Sequence, residues 1–283
     1  MSDLKAVDFV DYWLWRKTNY TRKLPSNGTL KRERTCLMPL LKFARKRGYM
    51  TEIPEIEAPQ FKGQRRSTFT DDEWKTLCAK ARAWVKQAEK LATWRDRFIA
   101  QQYFLVLANT GMRVGEIRNL RWSDLRMMTI DDSKQMVAWV QGKTGAREVV
   151  FQPGSDACVR RIYDMRTEEL ETEPDKDSYV LCHPDGSAIQ SFKKSFQSLM
   201  KFAEVPTIRN GMARTIYSLR HFYATKRLEN EASPFLLAKQ MGTSIEMLEK
   251  FYGQTSVNAA TARSVSKGAQ RAGASKDSQY PFD

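Results

Sequence analysis

Histidine is scarce in this 283-residue chain, which contains only His183 and His221. Its four cysteines, Cys36, Cys78, Cys158 and Cys182, form no C-x-x-C pair. A metal site built from spaced His and Cys ligands therefore lacks donors, the adjacent Cys182 and His183 being the one local cluster, and no metal is expected. A Ser-His-Asp triad has few options, and no G-x-S-x-G occurs. Scattered free thiols fit a reducing compartment. Long apolar runs are missing too: stretches such as residues 104–108 fall far short of the roughly 20 residues a membrane span needs. The opening Met1-Ser2-Asp3-Leu4-Lys5 has no basic-then-apolar signal. A cytoplasmic protein with no membrane partner is the expectation. Gly142-Lys143-Thr144 resembles the end of a P-loop, but Val137 stands where its first glycine belongs. The phosphate cradle is absent, and no nucleotide cofactor is expected.

What the chain has in excess is positive charge. Lys and Arg number 47 against 33 Asp and Glu, a net charge of +14. That balance points to a polyanionic partner, nucleic acid ahead of an anionic membrane surface. At 41% hydrophobic the chain can also bury a sizeable core. The first 65 residues carry 14 basic and 7 acidic side chains, half of the excess in under a quarter of the length. Residues 54–66, with two prolines, a glycine and no apolar periodicity, read as an extended linker. Two domains are expected, residues 1–64 and 65–283, with a C-terminal tail from about 254.

The first domain reads as helical. Leu30, Leu37, Leu40, Leu41 and Ala44 fall on one side at 100° per residue, and Lys31, Arg32, Arg34, Lys42, Arg45 and Lys46 mainly on the other. The basic side suits a phosphate backbone, so these six are candidate DNA contacts. Pro39 interrupts the pattern: either one helix kinks there or a second begins. In the second domain Thr70-Asp71-Asp72-Glu73 reads as a capping box launching a helix. Further helices are expected over about 94–108, ending at Asn109-Thr110-Gly111, and over about 114–120. Residues 136–140 and 148–151 around the Gly142–Gly145 turn read as a β-hairpin, and 179–182 as a short strand. Helices follow from Phe192, broken at 206–210, at Ser233-Pro234 and at Gly242, and the last ten or so residues are expected to be disordered. The fold class is mainly α with a small β-sheet.

Arginine, lysine and tyrosine remain as the chemistry-bearing residues. Arg113 follows a turn and opens a helix, where outward N–H groups and the dipole favour an anion. Lys143 sits at a glycine-flanked hairpin tip. Arg220 lies in Tyr217-Ser218-Leu219-Arg220-His221, and Tyr252 closes Leu248-Glu249-Lys250-Phe251-Tyr252. Carboxylate pairs at Asp71/Asp72 and Asp131/Asp132 leave a two-metal nuclease open, though the first fits a helix N-terminal turn and the second a turn.

Together, "NTGMRVGEIRNLRW", "GKTG", "YSLRHFYAT" and "MGTSIEMLEKFYG" resemble, in order and spacing, the motifs of the tyrosine recombinases, in particular phage-type integrases. The resemblance runs from about Thr68 to Gly253, and the first 64 residues fit the family's helical core-binding domain, followed by a mixed α/β catalytic domain. It implies that Arg113 and Arg220 hold a scissile phosphate, that Lys143 is the general acid, and that Tyr252 attacks phosphorus, with no metal or ATP. It implies double-stranded DNA attachment sites as partners, a homotetramer on DNA, accessory directionality or DNA-bending proteins, and a phage or mobile-element origin. Sixty-four residues leave no room for an additional arm-binding domain, so a compact or truncated member is expected.

Two positions depart from the family pattern. Tyr217 stands where histidine is usual; it hydrogen-bonds the phosphate, orients the nucleophile, or is a half-buried aromatic at the entry of a helix. Thr243 stands where histidine or tryptophan is usual, and Thr243-Ser244-Ile245-Glu246 reads as a capping box, favoured over phosphate contact. Glu116 is expected to brace Arg113, and His221 to be structural. The same chemistry without site pairing describes a type IB topoisomerase, and the two departures describe a DNA-binding protein with a decayed core.

Overall fold

The computed structural model describes residues 6–57, 59, 67–130, 132–142 and 145–252. Lys143 lies outside them, as does the tail from 253, and of Tyr252 only the backbone is described. The chain divides into two compact units, residues 1–64 and 65–283.

In the first unit, α1 (Tyr12–Thr18) and α2 (Asn27–Lys46) close a small core of Leu41, Met50 and Ile56, joined by Trp13, Leu37 and Ala44. Ser26 caps α2, its Oγ accepting the Thr29 N–H. One continuous helix runs through Pro39, so no second helix begins there. Leu40 departs from expectation and is exposed. It lies roughly 80° from the Leu30–Leu37–Leu41 stripe at 100° per residue, outside the packed face. Lys31, Arg32, Lys42, Arg45 and Lys46 are exposed. Arg34 is half-buried, its Nε donating to the Ile56 carbonyl at 2.6 Å.

The second unit is built around α4 (Leu91–Thr110), which packs against α3 (Asp71–Lys86), α6 (Asp156–Leu170), α7 (Lys193–Phe202) and α8 (Tyr217–Glu229). It buries Ile99, Tyr103 and Leu107 completely, and Ala100, Phe104 and Val106 besides, so its apolar residues wrap the helix rather than forming one stripe. The expected capping box is present: Thr70 Oγ1 accepts from Glu73 N–H, and Glu73 accepts from Thr70 N–H. Glu73 also receives Arg214 at 2.6 Å, which ties the start of α3 to the segment entering α8. Gly111 ends α4 at φ 66°, and α5 (Val114–Arg118) follows.

The sheet has three antiparallel strands, ordered β1 (Leu125–Ile130), β2 (Ser133–Gly142) and β3 (Gly145–Val150). The expected hairpin is β2–β3, with Gly142 paired to Gly145; β1 extends it, Leu125 facing Ala138. Residues 179–182 are not a sheet strand. They make single bridges, Arg121 to Tyr179 and Cys182 to Ala188, because their backbone groups turn towards loops and not towards a neighbouring strand. A second pairing joins β4 (Ile208–Arg209) and β5 (Met212–Ala213). After α8 come α9 (Pro234–Met241) and α10 (Ile245–Tyr252), which share a small core of Tyr223, Leu237, Met241 and Leu248. Among the described residues no helix is long and apolar enough to cross a membrane.

Candidate active site

Three arginines from distant segments converge on the end of α9. Arg147, from β3, donates Nε–H to the Gln240 carbonyl at 3.0 Å. Arg220, from α8, donates to the Met241 carbonyl at 2.7 Å and to the Gly111 carbonyl at 2.5 Å. Arg113, at the start of α5, donates to the Gly242 carbonyl. Cations at the carbonyl end of a helix are placed where its dipole is negative. Three successive carbonyls thus bring Arg113 and Arg220 together immediately before the helix that ends at Tyr252.

Glu116 holds this cluster from beneath. Its side chain is only 4% exposed and accepts from Arg113 Nη1 at 2.7 Å and from both Arg147 Nη atoms at 2.8 Å. It also takes the Arg113 backbone N–H at 2.7 Å, closing the first turn of α5. Burial alone would raise its pKa, but hydrogen bonds from Arg147 and the Arg113 backbone, reinforced by both guanidiniums, lower it to about 2. Glu116 therefore stays ionised while in contact with Arg113 and Arg147. Arg220 is 3% exposed. Burial pulls its pKa below the ordinary arginine value; Tyr217 and Glu116 oppose that shift, while Arg113 and Arg147 add to it.

Glycines make this packing possible. A Cβ on Gly142 would run into Glu116 Oε1 and stand 2.9 Å from Arg113 Nη1, so the hairpin tip can approach the pair only without a side chain. Gly242 has φ 61°, and a Cβ there would lie 2.7 Å from the Arg147 guanidinium carbon. Gly242→Ala is therefore expected to destabilise by about 2 kcal/mol, from left-handed strain plus displacement of Arg147. Thermal unfolding should show a midpoint lower by several degrees. An unchanged midpoint would mean that Arg147 can move aside without cost.

Tyr217 is half-buried as the first residue of α8, packed edge-on to His221 at 5.1 Å with the Arg220 guanidinium carbon 6.0 Å from its ring centre. His221 is buried. Thr243 is not the cap of α10. The Ser244 Oγ accepts the Met247 N–H at 3.2 Å. The Thr243 N–H is committed to the Ala238 carbonyl and the Gly242 N–H to that of Lys239, a Schellman closure of α9 that shifts the cap one residue on. The Thr243 side chain is left beside Arg113, Gly242 and Ser244 in an open cleft of about 630 Å³.

Arg147 and Gln240 were not singled out from sequence. Arg147 carried a signal: it shares a strand face with the fully buried Val149, a charge at an inward position. Gln240, in the last turn of α9, carried none. Asp71 and Asp72 are engaged by Lys226 and Lys75, respectively, and among the described residues no group of three or more His, Cys, Asp or Glu could hold a metal.

A sequence model of the phage integrase family matches residues 68–258. No curated protein matches the chain. Among solved structures, the chain is similar to the XerH site-specific recombinase in a post-cleavage complex with a palindromic difH substrate, with TM-score 0.68, 16% identity and coverage of 95% of this chain and 73% of that one. A lambda integrase dimer bound to a core site gives TM-score 0.63 at 16% identity, covering 91% and 83%. The Tn1549 transposon integrase with circular intermediate DNA gives 0.65 at 15% identity, covering 93% and 85%. With the family model spanning well over half of its length, and carrying the mainly α catalytic fold of these enzymes, the chain belongs to the phage integrase family and is a tyrosine-type site-specific recombinase.

Proposed function

We propose that the chain cleaves and rejoins duplex DNA one strand at a time, through a 3′-phosphotyrosyl intermediate with Tyr252 as nucleophile. The observation that carries this reading is the meeting of Arg113 and Arg220 on adjacent carbonyls just before the helix that ends at Tyr252. Two guanidiniums offer paired N–H donors to the non-bridging phosphate oxygens and stabilise the charge of a pentacoordinate transition state. A phenol is only roughly a thousandth ionised at pH 7, so nearby cations must help Tyr252 lose its proton. The Tyr252 oxygen–phosphorus bond forms as the bond to the 5′-oxygen breaks. That oxygen needs a proton, and Lys143, between β2 and β3 in the sequence, is the general acid. The phosphotyrosine retains the bond energy, and attack by a 5′-hydroxyl reverses the step.

Tyr217 lies near enough to Arg220 to hydrogen-bond the same phosphate, and Thr243 borders the cleft at Arg113; both belong to the proposed site. The exposed Lys31, Arg32, Lys42, Arg45 and Lys46 of α2 are its proposed phosphate contacts in the first unit, with Arg34 contributing through its charge while tied to Ile56. The partners proposed are double-stranded attachment sites, a homotetramer assembled on two of them, and accessory directionality or DNA-bending proteins. The XerH, lambda and Tn1549 enzymes, each bound to DNA, support that choice of partner. Integration or excision of a phage or other mobile element inside a bacterial cell is the proposed setting, and the segment after Tyr252, which lies outside the described residues, is proposed to dock on a neighbouring protomer.

The test is covalent trapping. The protein is incubated, in chelator, with nicked duplexes tiled from the DNA flanking its coding sequence and run on denaturing gels. A protein–DNA adduct that is absent from Tyr252→Phe is the expected result. Salt-dependent binding without an adduct across the whole tiled set would instead favour a DNA-binding protein with a decayed core.

A further inference from the structure

The proposed chemistry leaves a nearly buried cation beside Arg113 and Glu116 unassigned. Arg147 has a side chain only 13% exposed and lies on β3, four residues beyond Lys143. Both of its Nη atoms contact Glu116, 31 residues away in sequence, and its Nε contacts the Gln240 carbonyl, 93 residues away. Gly242 is bare where the guanidinium lies against it. Beside it the Gln240 carboxamide treats the edge of β3 as a neighbouring strand would. Its Oε1 accepts the Val150 N–H at 3.1 Å, and its Nε2 donates to the Val150 carbonyl at 2.7 Å. The strand leaving the hairpin tip, the carboxylate holding Arg113 and the turn before α10 therefore meet at one side chain.

A cation needed only to neutralise Glu116 would require one contact, and Arg113 already supplies one. The planar fork of Arg147 uses all three of its nitrogens, in directions that fix the strand relative to both other segments. We propose that Arg147 is a positioning residue for strand cleavage: it fixes the hairpin that carries Lys143 relative to Arg113 and the Tyr252 helix, so that general acid and nucleophile address one phosphate. Gln240 supports the same alignment by holding the edge of β3. The proposal rests on the strand-cleavage reading above. Displacing a catalytic group by about 1 Å costs on the order of 100-fold in rate, so the effect should be large.

The experiment uses the full chain with Arg147→Gln and Arg147→Lys, on whichever nicked duplex gives the wild-type adduct. Single-turnover cleavage is measured at saturating DNA, beside DNA affinity and thermal unfolding. The expected result is cleavage slowed about 100-fold in Arg147→Gln and about 10-fold in Arg147→Lys, with affinity within about twofold of wild type. A second duplex carries sulfur in place of the bridging 5′-oxygen at the cleaved phosphate, a leaving group that departs without needing a proton. On it both variants should recover to within about tenfold of wild type, because only the placement of the acid has been lost. A purely structural role would not produce that recovery. Wild-type rates in both variants would overturn the proposal. So would a loss that sulfur fails to restore, a loss explained by weaker DNA binding, or failure of both variants to fold. No adduct from the wild-type chain on any duplex would instead remove the cleavage reaction itself, and this proposal with it.

Discussion

Arg220→Ala is expected to slow formation of the covalent adduct by on the order of 10²–10³-fold at saturating DNA, the scale of losing one preorganised donor at a developing charge. The loss should be in the chemical step, because the residue is buried at the base of the site and contributes little to long-range attraction of DNA. It also has a structural share. Without its guanidinium the Gly111 and Met241 carbonyls lose their donors, at roughly 1–3 kcal/mol for each one left unsatisfied. Arg220→Lys separates the two shares, since a lysine restores charge but cannot span both carbonyls. Single-turnover trapping, run beside a melting curve for each variant, makes the comparison. Adduct formation by Arg220→Ala at the wild-type rate would remove Arg220 from the chemistry.

Glu116→Ala is expected to be the most destabilising change at the site. It strips the shared anion from Arg113 and Arg147 and leaves two cations facing the α9 terminus with Arg220 beside them. Breaking a buried pair from one side costs about 3–5 kcal/mol. For a domain of this size that corresponds to a midpoint lower by roughly 6–20 °C. The effect has a defined pH dependence. Glu116 is held at about 2 in the folded protein against 4.5 when unfolded, so its ionisation stabilises the fold fully above the unfolded value. That contribution disappears as pH falls from about 4.5 towards 2, an amount of about 3 kcal/mol. Glu73 and Glu169 are lowered as well, but they are common to both proteins and cancel in the difference. Melting curves of wild type and variant from pH 7 to pH 3 should therefore converge on the acid side. A gap that stays constant would mean that Glu116 is not the titrating anion of the cluster.

Helices with strong local signals were legible in the sequence. Thr70 and Glu73 form their capping box from information within four residues, and Gly111 and Gly242 both end helices with positive φ. The short motifs around Arg113, Arg220 and Tyr252 were legible for the same reason. What was missed depends on distant partners or mixed patterns. The edge strand β1, Leu125–Ile130, acquires its identity by pairing with β2, and its Met127 is exposed, so no clean alternation marks it. The α6 helix buries Cys158, Val159, Ile162 and Met165 at helical spacing, but within a charge-rich stretch that dilutes the pattern. The capping box read at Thr243 lies one residue too early, Ser244 being the cap. The closing turn of α9, which claims the Thr243 N–H, is what moves it, and that turn is set by packing rather than by the local sequence. Pro39 was undecidable locally: packing of Leu37 and Leu41 on the same small core carries the helix through it.

The convergence of three arginines on residues 240–242 also sets when, during synthesis, the site can exist. Its contacts span 93 to 129 residues for Arg147 and Arg113, and 109 for Arg220 to Gly111, so it is among the costliest parts of the domain to close in loop entropy. The helices around α4 can gather as they leave the ribosome, and Gly111 and Glu116 are made early, whereas the carbonyls of residues 240–242 on which all three guanidiniums converge are made only near the end. A nascent chain halted before residue 240 could carry a folded scaffold and most of the basic surface, and bind DNA, yet lack both the seat for its arginines and Tyr252. Late assembly thus makes the arginine cluster one of the last features of the domain that the growing chain can complete.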